Sequence, residues 1–204
     1  MRAMRNHRLW FVALLGILLL PACGGGSGGP RTLVIPTTEA FDGYVGKIGN
    51  SDSTGTEIFV GDYLANPARG LVGFSLAGVP SGATILGATL KMEQFDVRGV
   101  PYTDLGSILL DHVDLGAAID GTDYGSPAIA AAFAVLSTTS ALEDKQADVT
   151  AQVAQALALG LPRADFRLRF TAESDGVTTD EDLVGFLPFG NGTNPPTLTI
   201  RYEH

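Results

Sequence analysis

Residues 166 to 170 read Phe166-Arg167-Leu168-Arg169-Phe170. In an extended chain alternate side chains point to opposite faces, so the two Phe and Leu168 share one face and the two Arg the other. That period of two predicts a half-buried strand, and it recurs on both sides of this segment. Leu198, Ile200 and Tyr202 alternate with Thr197, Thr199 and Arg201. Leu90 and Met92 alternate with Lys91 and Glu93 in a strand predicted to begin near Thr84. Ile58 with Val60, and Val72 with Phe74 and Leu76, supply two further apolar sets. Additional strands are expected over 32–35, 44–45, 107–115 and 183–187, while the segment 129–136, with helix-favouring Ala beside Val and Phe, reads equally as strand or helix.

One segment follows helical spacing. From Val149 to Leu159 the apolar residues Val149, Val153, Ala156 and Leu157 fall on one face, Asp148 stands where an N-cap is wanted, Gly160 ends the run and Pro162 prevents its continuation. Gly, Pro, Asn, Asp and Ser punctuate the rest. Eight or more short strands without an internal disulfide predict an all-β fold, a jelly-roll-like antiparallel β-sandwich with one short helix. About 175 residues from Arg31 onward suffice for one core, so 31–204 is read as a single domain.

Ahead of that domain the chain changes character. Arg2, Arg5 and Arg8 precede the apolar run Leu9 to Leu20, which is too short to span a bilayer as a helix and reads as a secretory signal. The run closes on Leu20-Pro21-Ala22-Cys23, and Cys23 is the only cysteine of 204 residues. Those four residues resemble the lipobox of bacterial lipoproteins. The resemblance implies a signal peptide over 1–22, acylation of Cys23, and attachment to the membrane through that lipid. An ordinary cleaved signal is the alternative. Gly24-Gly25-Gly26-Ser27-Gly28-Gly29-Pro30 then forms a flexible tether, so 23–30 is read as the acylated cysteine and spacer. Gly24 stands where many such proteins carry an inner-membrane retention Asp, which implies the cell envelope at the outer membrane or cell surface.

The 13 Lys and Arg fall to 10 when Arg2, Arg5 and Arg8 leave, against 22 acidic residues, so the mature chain carries a formal charge of −12. A nucleic-acid partner is therefore not expected. His7 leaves with the signal and His204 is the last residue, so His112 is the one histidine of the folded body. A Ser-His-Asp triad would have to use it with Asp111 or Asp114, and the one G-x-S-x-G, residues 25–29, lies in the tether, where no strained elbow can form. No cysteine other than Cys23 offers a nucleophile or thiolate ligand. No enzyme activity is expected.

A further resemblance runs through most of residues 40 to 203. Val72-Gly73-Phe74-Ser75-Leu76, Val79-Pro80-Ser81-Gly82-Ala83-Thr84-Ile85 and Ala88-Thr89-Leu90, then Asp148-Val149-Thr150 with Val153, and Pro196-Thr197-Leu198-Thr199-Ile200, resemble the DNRLRE-type β-sandwich modules related to a carbohydrate-binding module family. This implies a non-catalytic binding module with a glycan as ligand. Ser75 replaces the family's Asp, and the sole Trp10 lies in the signal, which excludes a tryptophan platform. Independently of the family, Pro80, Gly82 and Gly87 are read as shaping the connection between two strands, and Ile85, Leu90 and Met92 as core.

Tyr44, Tyr63, Tyr102 and Tyr124, in or beside predicted loops, are the candidate sugar-stacking residues, with half-buried packing as the alternative. Carboxylates gather at Asp52, at Asp111, Asp114, Asp120 and Asp123, and between Glu173 and Asp182. Hard oxygen ligands at loop spacing suit calcium, and Glu173, Asp175, Asp180 and Asp182 are the candidate set, with an ion-free acidic loop as the alternative. A structural or assembly lipoprotein that binds an envelope protein partner is the second functional reading, and a carbohydrate-active enzyme the third.

The anchor reading predicts that Cys23→Ser leaves a folded domain released from the membrane fraction. Fractionation of cells expressing either form checks it; retention equal to the parent's overturns the reading.

Overall fold

A computed structural model describes residues 29–48, 52–63, 65–174, 181–190 and 194–204. Cys23, Asp175 and Asp180 therefore lie outside the described residues. Twelve strands run in the order β1 (Arg31–Pro36), β2 (Asp42–Gly46), β3 (Asp52–Thr54), β4 (Ile58–Tyr63), β5 (Asn66–Ser75), β6 (Thr84–Arg98), β7 (Ile108–Val113), β8 (Ala130–Ser137), β9 (Asp144–Asp148), β10 (Arg163–Phe170), β11 (Leu183–Phe186) and β12 (Thr197–Glu203). A one-turn helix α1 (Pro101–Asp104) follows β6, and α2 (Thr150–Ala158) follows β9. Among the described residues no helix is long and apolar enough to cross a membrane.

Strand β6 organises the two layers. Its first half pairs with β12, which pairs in turn with β1, and its middle carries β9; its last residues pair with β11. From β11 the second layer continues β4, β5, β10, β7, β8, with β2 also beside β5 and β3 beside β2. All pairings are antiparallel, and crossovers such as β12 beside β6 and β10 beside β5 give the fold its jelly-roll-like sandwich form.

The period-two readings place the core. Leu90 and Met92 of β6, Phe166 and Leu168 of β10, Leu198 and Ile200 of β12 all point between the layers and are fully buried. Phe166 stands at its centre, with ring centroids 6.3 Å from Phe74, 6.0 Å from Phe133 and 6.1 Å from His112. Helix α2 closes the core with Val153 and Ala156 against β6 and β10. Its start is displaced by one residue from the sequence expectation: Val149 occupies the N-cap position, and Asp148 Oδ1 accepts from the Thr150 N–H at 2.8 Å from the position before it. Gly160, at φ +70°, takes the left-handed conformation that ends the helix.

The undecided segment 129–136 is strand β8, because β7 offers it a free edge and pairing decides where propensity does not. Gly87 lies inside β6, opposite Arg201 and beside a bulge in β6 itself, so Gly82 in the 77–83 turn shapes the connection and Gly87 does not. Strand β9, whose Lys145 and Ala147 alternate buried with exposed Asp144, Gln146 and Asp148, was not anticipated.

His112 points inward and is 0% exposed, with Nδ1 3.3 Å from Gln155 Oε1 of α2. Burial holds its pKa below the usual histidine value. Asp42, at the start of β2, is equally buried; its Oδ2 accepts the Phe189 N–H at 2.6 Å and so ties the 187–190 segment to the sheet. Burial pushes its carboxyl up to about 6, against the pull of the Phe189 N–H and with a further push from Glu39.

A folded-state value above the unfolded one makes the Asp42 carboxyl stabilising below about pH 4, and that contribution disappears as the pH rises through 6. Asp42→Asn keeps an acceptor for Phe189 and does not titrate. Urea unfolding at pH 4 and pH 7 is expected to show the parent losing about 2–3 kcal/mol relative to this variant across that interval; a pH-independent difference between the two would contradict the assignment.

Candidate binding cleft

On the outer face of the second layer, the alternation of β10 sets Arg163, Asp165, Arg167 and Arg169 in a row. This face is covered. The segment between β7 and β8 folds back over it and packs Leu115, Ile119 and Tyr124, beside Val113 at the end of β7, on Val45 and Leu71, a second and smaller core. A 3₁₀ turn, Gly121–Tyr124, shapes the cover: the Asp120 side chain accepts from the Thr122 N–H, and Asp123 Oδ2 accepts from the Asp120 N–H.

Arg167 fastens the cover to the sheet. Its Nε and Nη2 donate to Asp111 Oδ2, directly across the strand pair, at 3.2 and 2.9 Å, while Nη1 donates to the carbonyls of Asp123, Tyr124 and Ser126 at 3.0, 3.3 and 2.8 Å. A buried guanidinium requires this degree of satisfaction, since an unpaired charge in the interior costs several kcal/mol. Asp111 also accepts the Ala132 N–H at Oδ1 and the Arg169 Nε at Oδ2, 3.0 Å away. Burial raises the Asp111 carboxyl, but the Ala132 N–H and the two arginines outweigh it and hold it below the usual carboxylate range.

Beside the fastening point the surface opens into a cleft of about 210 Å³ lined by Gly61, Ala68, Arg69, Tyr124, Arg169, Phe170, Thr171, Glu173 and Ser174. The Arg69 guanidinium lies 4.2 Å from the Tyr124 ring centroid, and its two Nη groups donate to the Tyr124 carbonyl and, at 2.8 Å, to Glu173 Oε2. Lys47 pairs with the other oxygen of Glu173. Burial raises the Glu173 carboxyl, while Lys47, the Tyr124 hydroxyl and Arg69 together hold it below its ordinary value.

The four candidate tyrosines divide. Tyr124 is 9% exposed with one ring face under Arg69, and burial pushes its hydroxyl up to about 12, so it is a wall of the cleft rather than an open stacking platform. Tyr102 donates to Gln94 Oε1 at 2.6 Å, its hydroxyl oxygen accepts from the Ser137 hydroxyl at 2.7 Å, and its ring packs edge-on against Phe170, 5.6 Å away. It serves the network around buried Gln94. Tyr44 and Tyr63 come together, 5.5 Å between centroids, around Phe59 and are half-buried.

Of the calcium candidates, Glu173 is engaged by Lys47 and Arg69, and Asp182 Oδ1 accepts the Val100 N–H at 2.7 Å. Among the described residues no group of three His, Cys, Asp or Glu side chains is placed to hold a metal ion. Of the second acidic set, Asp111 is buried under its arginines, Asp120 and Asp123 shape the 3₁₀ turn, and Asp114 accepts the Gly116 N–H. Arg69 and Arg169 carry the cleft, and sequence reasoning singled out neither as a site residue. The signal present in the sequence was the shared face of Arg167 and Arg169.

No family model matches the chain, and no curated protein matches it in sequence.

Arg167→Met removes the cation that Asp111 and three carbonyls require. Unfolding is expected to become easier by about 3–5 kcal/mol, with Tyr124 more exposed in tyrosine fluorescence quenching. Stability within 1 kcal/mol of the parent would mean that the cover does not depend on this guanidinium.

Proposed function

We propose that the chain is a lipid-anchored envelope protein whose sandwich acts as a non-catalytic binding module, holding the end of a glycan in the cleft beside Arg169. The observation that carries this reading is the cleft itself: a polar recess walled by two guanidinium groups, Tyr124 and the hydroxyl residues Thr171 and Ser174. Its volume of about 210 Å³ is below the roughly 300–1,000 Å³ of sites that enclose a drug-sized ligand, so it suits one terminal unit of a longer chain. Chemistry has little support there. His112, the obvious proton carrier, lies on the inner face of β7 and is separated from the cleft by the sheet. The resemblance to DNRLRE-type modules rests on the motif residues and points the same way.

A protein partner is the second reading, favoured by Val135 on edge strand β8 and by Leu142, which are 50% and 63% exposed. A glycan array probed with the purified full chain separates the two. Binding to a set of related glycans, lost when Arg69→Ala opens the cleft wall, is the expected result; uniform absence of binding removes the glycan reading.

A further inference from the structure

Arg169 differs from its neighbours in how its donors are used. Its Nε edge is fixed by Asp111 Oδ2 at 3.0 Å, and Nη1 reaches the Phe170 carbonyl only at 3.4 Å. Nη2 has no partner among the described residues, and the side chain is one quarter exposed, lining the cleft. The carboxylates around it are engaged elsewhere. Asp111 serves Arg167 and the Ala132 N–H; Glu173 serves Lys47 and Arg69; Asp62 Oδ2 accepts the Ser174 hydroxyl at 2.8 Å. Arg69 and Arg169 also repel Arg167, so three guanidinium groups stand close together on a chain with 22 acidic and 13 basic residues.

Accepting the glycan-binding reading above, we infer that the unit held in the cleft is an acidic sugar, whose oxyanion receives the free Nη edge of Arg169. A guanidinium anchored at Nε presents its remaining N–H groups in a fixed fork, which matches the paired oxygens of a carboxylate or a sulfate ester. A neutral hydroxyl would satisfy one of those donors and leave the charge uncompensated. Anchoring by Asp111 also means that the arginine is ordered before the ligand arrives, which reduces the entropy lost on binding. The β10 strand supplies the position, so the recognising group sits on the sheet rather than on a loop.

Titration calorimetry of the purified full chain with D-galacturonate, galactose 6-sulfate and galactose tests this, the two charged arms distinguishing a uronate from a sulfated sugar. At least one acid is expected to bind about tenfold more tightly than galactose, with affinity that falls as sodium chloride is raised. Arg169→Gln should abolish that preference while the thermal midpoint stays within a few degrees of the parent's, and Arg169→Lys should restore it only in part. Galactose binding as tightly as both acids, or salt-independent binding of the acid by the parent, overturns the inference whatever the variants do. Failure of both acids to bind overturns it as well. In any of these cases, neutral glycans still captured on the array leave the binding-module reading standing, whereas an empty array removes both.

Discussion

A guanidinium buried on the outside of a sheet is the constraint from which this molecule's surface follows. Arg167 sits on the face of β10 that alternation turns away from the core, where water would ordinarily solvate it. It is instead 5% exposed, so its donors must find protein acceptors. Asp111 across the strand pair satisfies one edge, and the carbonyls of Asp123, Tyr124 and Ser126 satisfy the other. Those carbonyls belong to a segment with no strand of its own. It is held to the sheet by Arg167 and the small apolar cluster of Leu71, Val113, Leu115, Ile119 and Tyr124, with Arg163 donating to the Gly116 carbonyl, Arg69 to that of Tyr124, and Asp165 accepting the Leu115 N–H. Without that cover there would be no Tyr124 beneath Arg69, and without that pair no wall to the cleft.

How far this was legible in the sequence depends on how local each cause is. Strand spacing is local, so β6, β10 and β12 were readable from the alternation of Leu90, Phe166 and Ile200 with polar neighbours. The helix 150–158 was readable from its apolar face and its glycine stop. Strand β9 was not, because Asp-Lys-Gln-Ala-Asp carries no apolar signal: Lys145 is buried by bonds to Thr139 and Glu143 that only the fold creates. The 129–136 segment illustrates the same limit, since the free edge of β7, not its own composition, makes it a strand.

The candidate site shows the limit more sharply. Tyr124 looked like a loop aromatic available to a ligand, and it is a buried wall, because a cover assembled from a separate segment decides its exposure. Glu173 looked like an oxygen ligand for calcium, and two cations from β5 and the end of β2 neutralise it. Both readings assigned a role from residue type and neighbourhood in the chain. In the fold the neighbourhood that matters comes from strands β5, β7 and β10 and the segment between β7 and β8, and none of those juxtapositions leaves a trace in the local sequence. The lipobox-like Leu20-Pro21-Ala22-Cys23 is a reading of a different kind, resting on adjacent residues alone and falling outside the described residues.

Arg167 and Arg169 show how the cover divides two like side chains. They lie two positions apart on one strand, face the same way and donate to the same oxygen, Asp111 Oδ2. What separates them is the extent of the cover. Its carbonyls reach Arg167 and stop there, so that guanidinium is consumed by the fold, whereas Arg169 lies past its edge and keeps an Nη group free. A cover that extended one strand pair further would satisfy both arginines and close the cleft. A shorter one would leave Arg167 unsatisfied in a half-dry position. The length of the segment between β7 and β8 is therefore what sets one arginine to hold the domain together and its neighbour to face the cleft.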